Sequence, residues 1–273
     1  MRSFIGEYLV PLVYGIPTWA LAIAIVLGFL IVGLGGLVLT KDWLHARCGL
    51  HEGTNEAING FFAGVGVLYG LLLSMVAIAN WNNFDDVEEI TSKESGSIAA
   101  LYSDIGALHE PERTNLQICL KDYLHMIVNV EWPAHALGKA SVDKVISLAS
   151  LQDGLTRYQP DSLNQQEMFT RSLDSFNRLI ELRQQRIDAV GDERVPEVFW
   201  YVILLGGMLS IVMTYFFHLP SFLAHVLLTG LYATFLGLMV FLIAAVDNPF
   251  RGGISVKPTN YLYLIDALKV GTS

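Results

Sequence analysis

A cluster of four acidic residues lies directly after a long uncharged segment. The cluster is Asp85, Asp86, Glu88 and Glu89, and the segment from Ala57 to Asn80 before it carries no charged side chain. Acidic rings at the mouth of a membrane pore concentrate cations, so copies of this cluster around an axis would form a cation-attracting mouth. Two alternatives stay open: a solvated acidic surface, or the cap of a helix that begins near Asp85.

A second group of chemically capable residues comprises His45, Cys48 and His51, which follow one another at intervals of three residues. These are zinc-ligand types at helical spacing, and they could hold the metal outside the membrane. The spacing is a common one and Gly49 interrupts it, so the sequence favours no metal site, and we predict no cofactor. The chain also has no GxSxG, HExxH or phosphate-loop motif, which leaves an enzyme hypothesis without a nucleophile, a metal or a phosphate site.

The composition indicates a membrane protein. Hydrophobic residues make up 53% of the 273 residues and charged residues only 16%, against about 25% charged in soluble domains. Crossing a hydrocarbon core of about 30 Å takes about 20 apolar helical residues, and four uncharged runs reach that length. The predicted spans are residues 17–39, 57–80, 198–217 and 222–246. Residues 218–221 are too few for anything but a tight turn, so the last two spans form a hairpin.

These spans predict an all-α membrane protein with a helical cytoplasmic domain. Its parts are an amino-terminal region 1–84, a helical domain 85–197, a hairpin 198–247 and a tail 248–273. All Lys and Arg residues except Lys41 and Arg47 fall on one side of this layout. The positive-inside rule therefore makes the helical domain and both termini cytoplasmic. The net charge of -9 argues against nucleic-acid binding.

The helical domain shows apolar residues at helical spacing in four stretches. The first continues inward from the second span, Pro111 opens the next, and a weaker one covers 141–155. The fourth has a heptad seam, and its members are Phe169, Leu173, Phe176, Ile180 and Ile187. Arg183 interrupts that seam, which could pack inside the domain or against another subunit. The tail is predicted to end in one helical turn, from Tyr261 to Leu268.

One narrow face of the second span consists mainly of small residues. Steps of four and three place seven of them together: Asn59, Ala63, Gly66, Gly70, Leu73, Ala77 and Asn80. Glycine pairs at GxxxG spacing let membrane helices approach closely, and small or apolar faces also line pores. Helix packing and pore lining both remain open for this face. No span carries Asp, Glu, Lys or Arg, which disfavours a proton-coupled pump and leaves a passive pore possible.

Two short motifs resemble those of the bestrophins. Residues 81–84, with Trp81, Asn82 and Phe84, resemble the Trp-Asn-polar-aromatic sequence that closes the second bestrophin span. Asp247, Pro249 and Phe250 resemble the acidic-x-Pro-Phe turn after the last span. The chain is still more similar to the bacterial and plant proteins called bestrophin-like domain proteins, through "GVLYGLLLSMVAIANWNNFDDVEE", "LYSDIGALHEPER", "VEWP" and "DNPFRGGISV".

The resemblance implies a homopentameric ion channel in a bacterial cytoplasmic membrane, with the second span lining a central pore for monovalent ions. Animal bestrophins pass anions and some bacterial relatives pass cations, so ion polarity stays open. The bulky rings of the bestrophin neck are replaced near Ala63, Val67 and Leu71, and residues 251–255 replace the acidic calcium clasp. The alternative is a non-conducting scaffold or sensor that binds a protein through its cytoplasmic helices. The expected partners are the lipid bilayer, further copies of the chain and monovalent ions.

Overall fold

The structure is a computed structural model that describes residues 17–140, 146–191 and 196–270. Every regular element in these ranges is helical, which confirms the predicted all-α class. In chain order the α-helices are α1 Thr18–Cys48, α2 Asn55–Ile105, α3 Glu112–Met126, α4 Trp132–Ala136, α5 Ile146–Arg157, α6 Leu163–Gly191, α7 Glu197–Thr214, α8 Phe222–Val246 and α9 Thr259–Val270. A 3₁₀ turn, Glu52–Thr54, precedes α2, and a π-helical segment, Ile127–Glu131, joins α3 to α4.

Three helical stretches of the described residues are long and apolar enough to cross a membrane: Thr18–Cys48, Glu52–Ile105, which is α2 with the 3₁₀ turn before it, and Phe222–Val246. A shorter apolar helix covers Val198–Thr214. Pro17 precedes α1, because its fixed φ and missing N–H suit the start of a helix. The helix ends at Gly49, which takes the left-handed conformation at φ 61°. This composition is that of a membrane protein.

The described chain divides into two compact units, and α2 contributes residues to both. The first unit holds residues 17–83, 196–248 and 252–254, and the second holds the remaining described residues from 84 onward. Within the first unit α1 packs along α8. Glycines permit this close approach, since a Cβ on Gly237 would lie 3.0 Å from the Val26 Cα. Its buried apolar core is Leu37, Tyr69, Leu73, Val76, Ile203, Ile211, Tyr215, Ala233, Leu236, Val240 and Ile243.

Polar side chains bind backbone carbonyls inside the first unit. The Tyr69 hydroxyl donates to the Ile203 carbonyl at 2.7 Å, and the Tyr215 hydroxyl donates to the Val32 carbonyl at 2.9 Å. The Asn55 side chain exchanges two hydrogen bonds of 2.9 Å with the backbone of His218. In an apolar environment each of these bonds satisfies a group that would otherwise be costly to bury.

The second unit is built around a larger apolar core. Its members include Val87, Ile98, Leu101, Ile105, Leu116, Leu120, Leu124, Ile127, Leu151, Leu155, Phe176, Leu179, Phe250 and Val256. The helix predicted over 141–155 begins at Ile146 in the described residues, while 141–145 lie outside them. The tail forms the 12-residue α9 rather than one turn, because Tyr261 and Ile265 bury against this core and support a longer helix.

The predicted seam of α6 is partly wrong. Phe176 and Ile187 are buried, but Ile180 is 38% exposed. The buried face contains polar residues at heptad steps, namely Gln165, Ser172 and Arg186, together with Leu179, Leu182, Ala189 and Val190. On the exposed side of α6, Arg171 binds Glu167 and Arg178 binds Glu181, each at 2.8 Å. The buried face of α6 therefore includes a charged residue, Arg186, that the predicted apolar seam left out.

Two adjacent glycines of α1 provide a matched test of packing in the first unit. A Cβ on Gly36 would collide with the Tyr215 hydroxyl, whereas a Cβ on Gly35 would meet nothing within 4 Å. We expect Gly36→Ala to displace Tyr215 from Val32 and to lower the free energy of unfolding by about 1–3 kcal/mol. Gly35→Ala should leave stability unchanged or slightly raised, because alanine is the better helix former. Thermal unfolding in detergent measures both, and equal melting temperatures for the two variants would contradict this packing.

Candidate functional site

Helix α2 presents two opposite faces. Its inward face packs inside the units, and its buried residues include Tyr69, Leu73, Val76, Asn80, Asn83, Val87, Thr91 and Glu94. The opposite face recurs at steps of three or four residues and is exposed throughout: Gly60, Gly64, Val67, Leu71, Ser74, Ile78, Asn82, Asp85 and Glu89. We call this second set the outer stripe. A side chain added at Gly60 or Gly64 would meet nothing within 4 Å among the described residues.

The predicted small face lies beside the outer stripe and reaches into the buried face. Asn59, Ala63 and Gly70 are exposed, and Gly66 and Ala77 are half-buried. Leu73 belongs to the core of the first unit, and Asn80 donates through Nδ2 to the Ile243 carbonyl at 3.2 Å. Val67 and Leu71, named from the bestrophin neck, are 63% and 58% exposed. A repeat of four and three gives a helical face, but it does not reveal which neighbouring face is covered.

The acidic cluster is distributed around a continuous helix. Asp85 and Glu89 lie on the outer stripe, whereas Asp86 and Glu88 flank it on either side. Helix α2 runs through all four positions, so the alternative in which a helix begins near Asp85 is wrong. The Lys93 ammonium lies 2.7 Å from the Glu89 carboxylate. Its hydrogen bond and charge lower the pKa of Glu89, so the carboxylate is ionised at neutral pH.

The residues that resemble bestrophin motifs occupy several environments. Trp81 and Asn82 are exposed, and Phe84 packs against the core of the second unit. Asp247 follows the last turn of α8. The Pro249 carbonyl accepts a hydrogen bond from the Val256 amide at 2.8 Å. Phe250 is buried, and its ring centroid lies 5.6 Å from that of Trp132 and 5.3 Å from that of His135.

The histidine and cysteine group gains no support as a metal site. No cluster of three or more His, Cys, Asp or Glu side chains of metal-binding geometry occurs within the described residues. The side chain of His45 lies outside them. Cys48 is exposed, and His51 Nδ1 lies 3.0 Å from the Gly49 carbonyl oxygen, a local contact that helps to shape the turn before α2.

The main polar feature of the second unit is a buried cluster centred on Arg186 of α6. The Arg186 guanidinium donates to both Glu94 oxygens, at 2.6 Å and 3.2 Å, and to Glu131 at 2.6 Å. Its Nη1 lies 2.5 Å from His135 Nε2. All four side chains have no exposed surface. We call these residues the arginine cluster.

Three further side chains complete the arginine cluster. The Tyr123 and Tyr261 hydroxyls donate to the two oxygens of Glu94 at 2.9 Å and 2.8 Å. Arg183 donates to the second Glu131 oxygen at 2.6 Å. The members come from α2, α3, the π-helical segment, α4, α6 and α9, so one polar centre joins six segments of the second unit.

The charges of the arginine cluster balance when His135 is neutral. Two guanidinium groups, from Arg183 and Arg186, face the carboxylates of Glu94 and Glu131. Because Arg186 Nη1 can only donate, His135 Nε2 accepts, and the ring proton is on Nδ1, which lies 3.3 Å from the Lys139 carbonyl. Burial and then the Arg186 charge lower the pKa of His135 from 6.5 to about 4.

The other ionisable groups of the arginine cluster are shifted consistently with this assignment. Burial would raise the pKa of Glu131, but Arg186 and Arg183 outweigh it and hold the pKa below its usual value. Burial, followed by the charge of Glu94, raises the pKa of Tyr123 and of Tyr261 well above the ordinary tyrosine value. The two tyrosines therefore act as hydrogen-bond donors, and the centre fastens segments rather than exchanging protons at neutral pH.

The arginine cluster was not among the sites predicted from the sequence. Glu94 stands far in the chain from Glu131 and His135, all three are distant from Arg186, and each of the three looks like an ordinary surface residue. One signal was available, because Arg186 follows Leu179 by one heptad on the regular helix α6 and so falls on its apolar face. A charge in that position indicates a buried partner.

The described residues are helical, several of their helices are apolar and long enough to cross a membrane, and a second helical unit has a buried polar centre. These features define a class of membrane proteins rather than a particular activity. The model of the bestrophin-like domain matches residues 22–261, well over half of the chain. The protein belongs to the bestrophin-like domain family, a family related to bestrophin channels. No curated protein and no solved structure matches the chain.

The arginine cluster yields a direct test of stability. Arg186→Met would leave Glu94 and Glu131 buried without their shared cation, and we expect a loss of about 3–5 kcal/mol in the free energy of unfolding. Arg178→Met is the matched control on the same helix, since Arg178 pairs with Glu181 at an exposed site where ion pairs contribute about 0–1 kcal/mol. Thermal unfolding in detergent, followed by circular dichroism, compares them. Similar melting temperatures for the two variants would refute a stabilising role for the cluster.

Proposed function

We propose that the protein is an oligomeric channel that passes monovalent ions passively across the membrane, with the outer stripe of α2 facing the passage. The observation that carries this proposal is the outer stripe itself. It runs from Gly60 to Glu89 without cover from the described residues and changes from glycine and apolar residues to polar and acidic ones. Membership of a family related to bestrophin channels supports the same function.

The passage in this proposal forms between copies of the chain, and the family resemblance suggests five. Glycines at positions 60 and 64 let neighbouring α2 helices approach, since no other described residue fills the space beside them. Val67, Leu71 and Ile78 then form apolar rings that could gate by dewetting. Asn59, Ala63, Gly66, Gly70 and Ala77 flank the passage, while Leu73 and Asn80 support α2 from its own subunit.

The proposed topology has four spans per subunit, namely α1, the apolar part of α2, α7 and α8. Helix α7 has 18 residues, or about 27 Å at 1.5 Å per residue, close to the thickness of the hydrocarbon core. Exposed apolar side chains on these helices suit contact with lipid, among them Leu39, Leu209 and Leu231. The second unit and both termini are then cytoplasmic in a bacterial membrane, as the distribution of Lys and Arg suggests.

The second candidate function is a non-conducting scaffold or sensor that binds a protein partner. The observation in its favour is a set of exposed apolar side chains on the second unit: Ile118, Leu137, Ile146 and Leu163, with Leu163 91% exposed. Ion flux into liposomes that contain only the purified protein separates the two functions. A channel dissipates a salt gradient, and a scaffold leaves the gradient intact.

The acidic residues of the outer stripe should influence which ions pass. A narrow mouth of low dielectric focuses their field, and the Debye length of about 8 Å in physiological salt limits the effect to carboxylates that line the passage. We expect Asp85→Lys and Glu89→Lys to shift the reversal potential under asymmetric salt toward anions. Asp86→Lys is the control. It makes the same change of charge, but Asp86 lies beside the outer stripe rather than on it.

Equal shifts in Asp85→Lys and Asp86→Lys would contradict the assignment of the outer stripe to the passage. An unchanged reversal potential in the double variant Asp85→Lys, Glu89→Lys, with current preserved, would instead favour selectivity within the apolar span, as in the anion-passing relatives.

The proposed topology can be tested with the two cysteines, because Cys48 is exposed in the first unit and Cys119 is half-buried in the second. A membrane-impermeant maleimide applied outside intact cells should label Cys48 and spare Cys119. Burial raises the pKa of the Cys119 thiol and slows its reaction, so labelling in permeabilised cells is the reference. Labelling of Cys119 but not of Cys48 in intact cells would show that the orientation in the membrane is the opposite of the proposed one.

A further inference from the structure

The side chains around His135 form a closed site with little tolerance for an added charge. Its Nε2 lies 2.5 Å from Arg186 Nη1, its ring contacts Phe250 at a centroid distance of 5.3 Å with the ring planes tilted by 58°, and its side chain has no exposed surface. The ionisable groups that act on it are Arg186 of α6, Glu131 of the π-helical segment and Glu94 of α2. Around these, Tyr123 of α3 and Tyr261 of α9 bind Glu94, and Arg183 of α6 binds Glu131. Arg251 lies nearby against Gly138.

Protonation of His135 would have two consequences in this site. The Nε2 atom would change from an acceptor into a donor and lose its hydrogen bond with Arg186, which has only donors to offer. It would also place two cations in hydrogen-bond contact where no water screens them, giving the buried cluster a net positive charge. Glu94 and Glu131 hold Arg186 through three hydrogen bonds, so His135 is the more weakly held partner.

We propose that the contact between His135 and Arg186 is an acid-sensitive latch that fastens the short helix α4 to α6. Neutral His135 keeps the latch closed, and its protonation releases α4 together with Phe250, which packs on the His135 ring. The direction follows from the acceptor role of Nε2, since only the neutral ring can hold Arg186. The latch is a property of the second unit and does not require that the protein conduct ions.

A built-in reporter lies next to the latch. The Trp132 ring centroid lies 6.2 Å from that of His135, and the Arg186 guanidinium lies 5.9 Å from the Trp132 centroid. An imidazolium quenches a neighbouring indole, and movement of α4 would also expose Trp132, which is 8% exposed in the closed form. Tryptophan fluorescence of the full-length protein in detergent therefore follows the latch as the pH is lowered.

The wild-type protein should show a fluorescence transition with a midpoint near pH 4, which is the value expected for the buried histidine. Trp132→Phe should remove that transition. His135→Gln should also remove it, because the glutamine oxygen can accept from Arg186 at every pH and cannot be protonated in this range. His125→Gln is the matched control, since His125 is an exposed histidine of the same unit. This variant should show the same fluorescence transition as the wild type.

Three results would overturn the proposal: no transition in the wild type between about pH 6 and pH 3.5, an unchanged transition in His135→Gln, or loss of far-UV helicity at the same midpoint. The last result would indicate global acid unfolding rather than local release. If His135→Gln does not fold, nuclear magnetic resonance of the seven wild-type histidines replaces it. One of the seven histidine rings must then titrate near pH 4. If none does, the latch is contradicted.

Discussion

The second unit depends on one constraint, the burial of the Arg186 guanidinium. A guanidinium removed from water costs several kcal/mol unless its donors are satisfied, and here Glu94, Glu131 and His135 satisfy them. Each partner comes from a different segment, so the requirement for good geometry fixes the positions of the segments relative to one another. The apolar core supplies the driving force for folding of this unit, and the arginine cluster adds a requirement for hydrogen-bond geometry that apolar packing alone does not impose.

The π-helical segment, Ile127–Glu131, is explained by the same constraint. A π turn uses one more residue than an α turn, so the residues that follow it face a different direction from the one that α3 would give them. In this register Ile127 stays in the apolar core while Glu131 and His135 both reach Arg186. The cost of the wider turn is offset by the hydrogen bonds that it permits, which makes the segment part of the arginine cluster rather than an irregularity.

Apolar runs and helical spacing were sufficient to predict the all-α class and a start of α1 at Pro17, because hydrophobic burial follows local periodicity. The same reasoning could not find the arginine cluster, whose members depend on contacts across up to 167 residues of chain, as between Glu94 and Tyr261. It also misjudged α9, since a helix of that length is stabilised by packing rather than by its own propensity. Tertiary contacts decided both outcomes.

Helix α2 shows why residue type alone does not reveal the role of an acidic side chain. Glu89 and Glu94 are five residues apart, which at about 100° per residue places them on nearly opposite sides of the helix. Glu89 is exposed and bound to Lys93, while Glu94 is fully buried and accepts hydrogen bonds from Arg186, Tyr123 and Tyr261. The first carboxylate is thus exposed on the outer face of the helix, and the second is committed to partners inside the second unit. Because both are on one continuous helix, a rotation of α2 that moved Glu89 away from the outer face would also pull Glu94 from Arg186. The arginine cluster therefore resists that rotation in the part of α2 that belongs to the second unit.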